Sequence, residues 1–294
     1  MKKKIKFFDP AIKRKREIAD KNLEMFKGIP LPAEIEISES GTCNRKCSFC
    51  PRSAPGFEDK KEFIQTELME KLIKELSIVA YKGTVRFSGF VEPLLDKNIY
   101  NILSITRKYL KNSNIEMVTN GDVLNIKRLK KLFFSGLDTL LISVYDGKKE
   151  AEAFEKMCID ANLKENQYVI RHRYLPPEQD FGITMSNRAG MMKNAEYQIN
   201  PLNKSLTDPC YYPHYTFFMD YNGDVLMCPH DWGKKRILGN LNNSSFMEIW
   251  TSRAAKINRK NLYKGNRNFS PCDVCDVKGT LIGEKHASVW EDIK

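Results

Sequence analysis

From residue 34 onward, apolar positions recur along the chain with two alternating periods. Runs of strand character occupy 34–39, 84–88, 114–119, 139–144 and 168–173, and helical periods fill 66–80, 97–110, 126–134 and 148–162 between them. Thr66, with Met69 and Glu70 downstream, opens the first of these helices as an N-cap, and Gly83 closes the turn after it. This alternation predicts an α/β fold with a parallel sheet and right-handed crossovers, open or curled into a partial, TIM-like (β/α) barrel. Residues 1–32 form an N-terminal extension with one amphipathic stretch, 11–26, and a loop at 28–32. Periodicity lapses from Leu175 to Asn203, which predicts an irregular crossover covering the barrel mouth. Beyond Ser205 a hairpin is expected at 215–219 and 224–227, turned by Tyr221-Asn222-Gly223, and then a helix at 245–258. The expected division is an extension (1–32), a barrel (33–203) and a small α+β domain (204–294).

Composition narrows the partners. The net charge of +11 comes from lysines spread along all 294 residues, and no arginine-rich run interleaved with aromatics points to nucleic acid. The basic start, MKKKIKFFDPAIKRKRE, lacks the apolar run of a signal peptide, and no segment reaches the roughly 18 apolar residues of a membrane span. A cytoplasmic protein without a membrane partner is expected. Eight cysteines in such a chain argue for metal or redox use over disulfides.

Seven of the eight form two groups. Cys43, Cys47 and Cys50 lie in one loop after the first strand, with spacings of 4 and 3. Three thiolates on a cubane cluster leave one iron free for another ligand, whereas half a zinc site would use them differently. Cys210 and Cys228, together with the Cys272-x2-Cys275 knuckle, supply four more, which suits zinc or a fully ligated cluster.

The C-x3-C-x2-C loop, with Phe49 as the aromatic before its last cysteine, resembles the radical S-adenosylmethionine (SAM) superfamily. The segment Ser88-Gly89-Phe90-Val91-Glu92-Pro93 resembles that family's Gly-Gly-Glu-Pro motif, with an insertion. The resemblance implies that Gly89 and Glu92 hold the amino group of SAM, and that Asn120 and Ser143 contact its ribose and carboxylate. These residues fall on loops after successive strands, where barrel enzymes place their chemistry. The order Cys210, Gly223, Cys228, Leu238-Gly239-Asn240, Ile249-Trp250, Cys272-x2-Cys275 resembles the SPASM domain in its shortened, twitch form, as in aminocyclitol dehydrogenases. Together these resemblances imply a radical SAM barrel with two [4Fe–4S] clusters, one binding SAM and one auxiliary on Cys210, Cys228, Cys272 and Cys275.

The implied reaction begins with a 5′-deoxyadenosyl radical that abstracts a substrate hydrogen. A dehydrogenase then oxidises a carbinol of a sugar, aminocyclitol or related polyol, phosphorylated, nucleotide-linked or neither, and passes the electron to the auxiliary cluster. A sugar epimerase needs a thiol hydrogen donor, and a peptide maturase is a further alternative; a zinc-stabilised binding module would be no enzyme at all. The remaining cysteine, Cys158, shares an apolar helical face with Ala151, Phe154 and Ala161 and is expected in the core. Arg171, Arg173 and Arg188 near the mouth are the substrate candidates, suited to a polar or anionic small molecule. His172 is expected to be a packed, hydrogen-bonded histidine. A low-potential donor such as flavodoxin or ferredoxin is the implied electron source.

Overall fold

A computed structural model of the chain describes residues 10–21, 23–54, 56–175, 186–193 and 199–293. Helix α1 (Pro10–Lys21) leads into a short hairpin of β1 (Met25–Phe26) and β2 (Ile29–Pro30). The helix expected over 11–26 therefore ends early. Lys27 and Gly28 both take positive φ, 50° and 79°, the geometry of a two-residue hairpin turn, so Met25 and Phe26 pair as strand.

The β/α alternation follows: β3 (Glu34–Ser38), α2 (Thr66–Ile78), β4 (Thr84–Phe87), α3 (Ile99–Tyr109), β5 (Asn114–Thr119), α4 (Ile126–Phe134), β6 (Thr139–Val144), α5 (Lys148–Asp160) and β7 (Tyr168–His172). Thr66 does not cap α2 with its side chain; its hydroxyl accepts from Asn98 Nδ2 at 2.8 Å. Strands β3 to β7 pair in parallel, with Glu36 beside Arg86, Arg86 beside Glu116 and Ser143 beside Arg171. Because the registers are in phase, alternate residues share a face. Ile35, Ile37, Val85, Phe87, Ile115, Met117, Leu140 and Ile142 are fully buried against Leu72, Leu76, Ile102, Leu103, Leu129 and Leu132 of the helices. Each such side chain contributes about 1.5–3 kcal/mol. The opposite, concave face carries Glu34, Glu36, Ser38, Arg86, Ser88, Glu116 and Ser143, all nearly inaccessible to solvent. A buried polar face costs free energy unless its groups are paired, and Arg86 answers this by bonding both Glu34 and Glu116.

The C-terminal part enters the same sheet. After α6 (Tyr212–Tyr215), β8 (Thr216–Asp220) pairs parallel to β3 from Glu34↔Thr216 to Ser38↔Asp220. Strands β9 (Asp224–Leu226) and β10 (Ile237–Asn240) follow it antiparallel, giving the order β10-β9-β8-β3-β4-β5-β6-β7. The helix expected over 245–258 is two helices, α7 (Phe246–Trp250) and α8 (Arg253–Tyr263). The Ser252 hydroxyl accepts from the Ala255 amide at 3.1 Å and starts a new helix there. A final helix, α9 (Glu284–Asp292), has no counterpart in the sequence reading. Its Trp290 and the Trp250 ring enclose the Arg259 guanidinium at 4.0 and 3.8 Å. Among the described residues no helix is long and apolar enough to cross a membrane.

Candidate functional site

The concave polar face and the loops at the strands' C-terminal ends enclose a cavity of about 370 Å³. Cys43, Cys47 and Cys50 line its upper end, with Phe49, Gly89, Glu92, Asn120 and Ser143 around them. A larger open groove of about 770 Å³ runs past Lys61–Gln65, Leu95–Asn98 and Tyr221-Asn222, but it contains no cysteine and lies away from these groups.

Two arginines hold the cysteine loop in place. Arg45 forms ion pairs with Asp122, Asp146 (2.8 Å) and Glu150 (3.4 Å), fastening the loop to those after β5 and β6. Arg52, buried, donates to Phe90 O at 2.8 Å and Gly41 O at 3.0 Å and pairs with Asp59. Phe49 stacks on Tyr145 with ring centroids 5.3 Å apart. Neither arginine was singled out in the sequence, where each is one basic residue among many.

The motif residues come together. Glu92 is 2% exposed and accepts from Leu94 N (3.0 Å), Thr119 Oγ1 (2.6 Å) and Asn120 N (2.7 Å). A carboxylate offers about four acceptor sites, so one remains for a ligand ammonium. Burial raises the Glu92 pKa, opposed by these bonds. Asn120 ties the loops together: its Nδ2 donates to Asn44 Oδ1 at 2.8 Å, and its Oδ1 accepts from Asp122 N at 3.0 Å. Gly89 has φ +99°, and an added Cβ would stand 3.0 Å from the Phe218 ring and 3.1 Å from Ser38 Cβ. No larger residue fits that turn without strain.

Of the substrate candidates, Arg171 and Arg188 line the cavity. Arg171 donates to Ser143 Oγ at 3.3 Å, leaving its Nε unbonded. Arg188 also has an unbonded, buried Nε, and among the described residues no carboxylate pairs with it. Arg173 is buried outside the cavity lining. His172 Nδ1 lies 3.0 Å from Tyr174 Oη, a bonded histidine. Of the irregular crossover expected over 175–203, residues 176–185 and 194–198 lie outside the described residues.

Cys210, Cys228, Cys272 and Cys275 line a second, separate pocket. Arg267, 2% exposed, donates to the carbonyls of Asp208 (2.9 Å), Pro209 (2.9 Å) and Val277 (2.8 Å), so it braces the chain on both sides of the thiols. An added Cβ on Gly279 would stand 2.3 Å from Cys210 Sγ. The two pockets share a wall, because Tyr212 and His230 line both, and one turn spans them. Arg188, Ala189 and Gly190 take successive positive φ values of 48°, 51° and 87°. Arg188 thereby faces the first pocket while Ala189 lines the second. Asn187, fully buried, anchors the turn by donating to Val274 O (2.7 Å) and Asn200 O (3.1 Å) and by accepting from Gly190 N (3.2 Å).

The thiols suit iron–sulfur clusters. Burial, then the charge of neighbouring thiols, pushes Cys47 up to about 11. Burial, opposed by a backbone hydrogen bond, pushes Cys275 up to about 11 as well. Crowded thiols of this kind hold their protons until a metal displaces them. Three thiols from one loop lining one cavity and four lining a second pocket are donor sets that suit iron–sulfur clusters.

An open parallel barrel with a three-thiol loop at its mouth, beside a four-thiol pocket, defines an iron–sulfur enzyme. Residues 37–172 match the radical SAM superfamily, and residues 210–276 match SPASM, an iron–sulfur cluster-binding domain. The chain belongs to the radical SAM superfamily and carries a SPASM domain. That pairing implies SAM and two [4Fe–4S] clusters as cofactors. The chain is 28% identical over 241 residues to the S-adenosyl-L-methionine-dependent 2-deoxy-scyllo-inosamine dehydrogenase of Niallia circulans, covering 82% of this chain and 90% of that protein. It is 30% identical over 116 residues to the GTP 3′,8-cyclase of Staphylococcus haemolyticus, covering 38% of this chain and 33% of that one. Its structure resembles that of BtrN in complex with AdoMet and 2-DOIA, with a TM-score of 0.72 and 26% identity, covering 88% of this chain and 98% of that one.

Proposed function

We propose that this radical SAM enzyme is a dehydrogenase that oxidises a carbinol of a sugar, aminocyclitol or related polyol. The observation that supports this reading is the pair of thiol pockets, which share Tyr212, His230 and the Arg188-Ala189 turn, so that a cluster in the second would stand next to the cavity and could accept an electron from it. When bound, SAM and the cluster on Cys43, Cys47 and Cys50 supply hydrogen-atom abstraction, and the cluster on Cys210, Cys228, Cys272 and Cys275 accepts the second electron. Glu92 offers its last acceptor site to the SAM ammonium, and Ser143 with Arg171 receives its carboxylate. Asn120, Phe49 and Gly89 shape the wall between cofactor and loop. Glu36, whose Oε1 accepts from Ser88 at 2.5 Å, and Arg188 orient the substrate below. The auxiliary half covers the cavity's flank with Trp232, which packs on Phe90 with centroids 4.3 Å apart and excludes water.

Epimerisation is disfavoured because the described part of the cavity has no spare thiol. Cys158 is fully buried in the helix-side core, where burial pushes its thiol up to about 11. The remaining partners of this reading are a low-potential donor such as flavodoxin or ferredoxin, and a cytoplasmic setting where thiols stay reduced. The test is anaerobic turnover with SAM and dithionite across a polyol panel. One ketone for each 5′-deoxyadenosine, with activity kept in Cys158→Ala, is expected. An epimer carrying solvent hydrogen, lost in Cys158→Ala, would sink the dehydrogenase reading.

A further inference from the structure

Helix α1 reaches into the cavity from the end opposite the cysteine loop. Its Arg14 and Lys15 both line the cavity floor. Three contacts fasten the helix to both halves of the molecule. Arg14 forms a two-pronged ion pair with Glu116, whose carboxylate is wholly buried. Arg16 Nε donates to Leu281 O at 2.9 Å. Ala19 packs with Ala33, Tyr215 and Ile282 in a small apolar cluster.

Lys15 is held differently. Its Nζ is 4.0 Å from Glu34 Oε1, at the outer limit of an ion pair, and its side chain remains 35% exposed. Glu34 does not need it, because Arg86 already bonds that carboxylate. Lys15 is therefore a loosely held cation on a firmly held helix.

The charges around the cavity sharpen the point. Arg14 and Arg86 are taken by Glu116 and Glu34, Arg52 by Asp59, and Arg45 by Asp122 and Asp146. On the reading given above, Glu92 and Arg171 serve the ammonium and carboxylate of SAM. Lys15 and Arg188 then remain against Glu36, an excess of positive charge in the cavity. Such a cavity is better matched by an anionic than by a neutral polyol.

We propose that Lys15, carried into the cavity by α1, anchors a carboxylate or phosphate group on the polyol substrate and makes α1 the specificity element of the site. This rests on the dehydrogenase reading for its substrate class, but its test reads binding alone. SAM-loaded holoenzyme is dialysed to equilibrium against D-glucose, D-glucose 6-phosphate and D-glucuronate. One or both charged sugars are expected to bind roughly tenfold or more tightly than glucose, as one charge-assisted contact allows. In Lys15→Gln the preference falls to within about threefold, the remainder of a screened pair, while SAM affinity is unchanged; Lys15→Arg keeps it. The two charged arms separate a phosphate site from a carboxylate site. Equal binding of all three sugars by the unaltered enzyme, or a preference that survives Lys15→Gln, overturns the proposal. So does a Lys15→Gln enzyme that has also lost SAM affinity, since the residue would then be structural. Failure of the dehydrogenase reading would appear separately, as 5′-deoxyadenosine formed without ketone.

Discussion

The two thiol sites solve opposite problems. The first is drawn from one short loop, Cys43 to Cys50, whose three cysteines all remain partly exposed. It is steadied by Arg45, which reaches from within the loop to Asp122, and by Arg52 just after it, which pairs with Asp59. The second is drawn from residues 210 to 275, with Cys210 and Cys275 buried, and its brace, Arg267, bonds only to backbone carbonyls. A site that must admit a ligand cannot be packed solid, so its rigidity is borrowed. On the function proposed above, the second site only holds a cluster, so half of it can be built like a core while Cys228 and Cys272 stay partly exposed.

That contrast can be broken first at Arg267. Arg267→Met leaves three buried carbonyls without their donor, and about 3–5 kcal/mol of stability is expected to be lost. Iron content of reconstituted protein should fall from about eight toward about four, with the signal of the Cys43–Cys50 cluster retained. Loss of both clusters together would show that the two sites are not independent.

A smaller effect separates the halves by pH. His214, fully buried, has no hydrogen-bond partner on either ring nitrogen, and burial followed by the Arg259 charge lowers its pKa from 6.5 to about 3. It is neutral in the fold and protonates in the unfolded chain near 6.5. The stability it contributes is thus present above 6.5 and lost as pH falls toward 3. At about 1.4 kcal/mol per pH unit, roughly 2 kcal/mol is gone by about pH 5. Urea titrations should show this loss in the unaltered protein relative to His214→Leu; parallel pH profiles would refute it.

Gly279→Ala pushes a methyl group toward Cys210 and is expected to cost about 1–3 kcal/mol and shift the auxiliary cluster's spectrum, leaving SAM binding intact. Least of all should stability respond to Arg45→Ala. Its pairs are partly exposed and worth about 1 kcal/mol or less. SAM cleavage, which depends on loop position, should nonetheless slow on the order of tenfold in single-turnover assays. An unchanged rate would mean that the loop holds its own shape.

Much of this was legible in the chain. The β/α alternation showed because the outer faces of β3 to β7 are apolar every second residue; Cys43, Cys47, Cys50 and the Cys272-x2-Cys275 pair showed because their spacing is local, and Cys210 and Cys228 joined them through the resemblance to the SPASM domain. Ser252 was readable too, as a cap inside the stretch expected to be one helix. What escaped depends on distant partners. Arg45, Arg267 and Arg14 look like any surface cation until the fold brings Asp122, the Pro209 carbonyl or Glu116 to them. Glu36, Arg86 and Glu116 form a polar barrel lining that single strands reveal only as alternation. The hairpin of β8 and β9 was foreseen, but strand pattern does not name a partner, so its pairing with β3 was not.

That pairing sets the order of events during synthesis. Strand β3 bonds β4 on one side and, on the other, a strand that begins 182 residues later (216 − 34). At about 5–20 residues per second, the ribosome leaves one edge of β3 bare for roughly 10–40 s. During that time the nascent barrel presents an unpaired row of amides and carbonyls to any other extended segment. The long loop that this pairing must close also predicts slow folding. A chain cut after residue 203 would keep that exposed edge permanently and tend to aggregate.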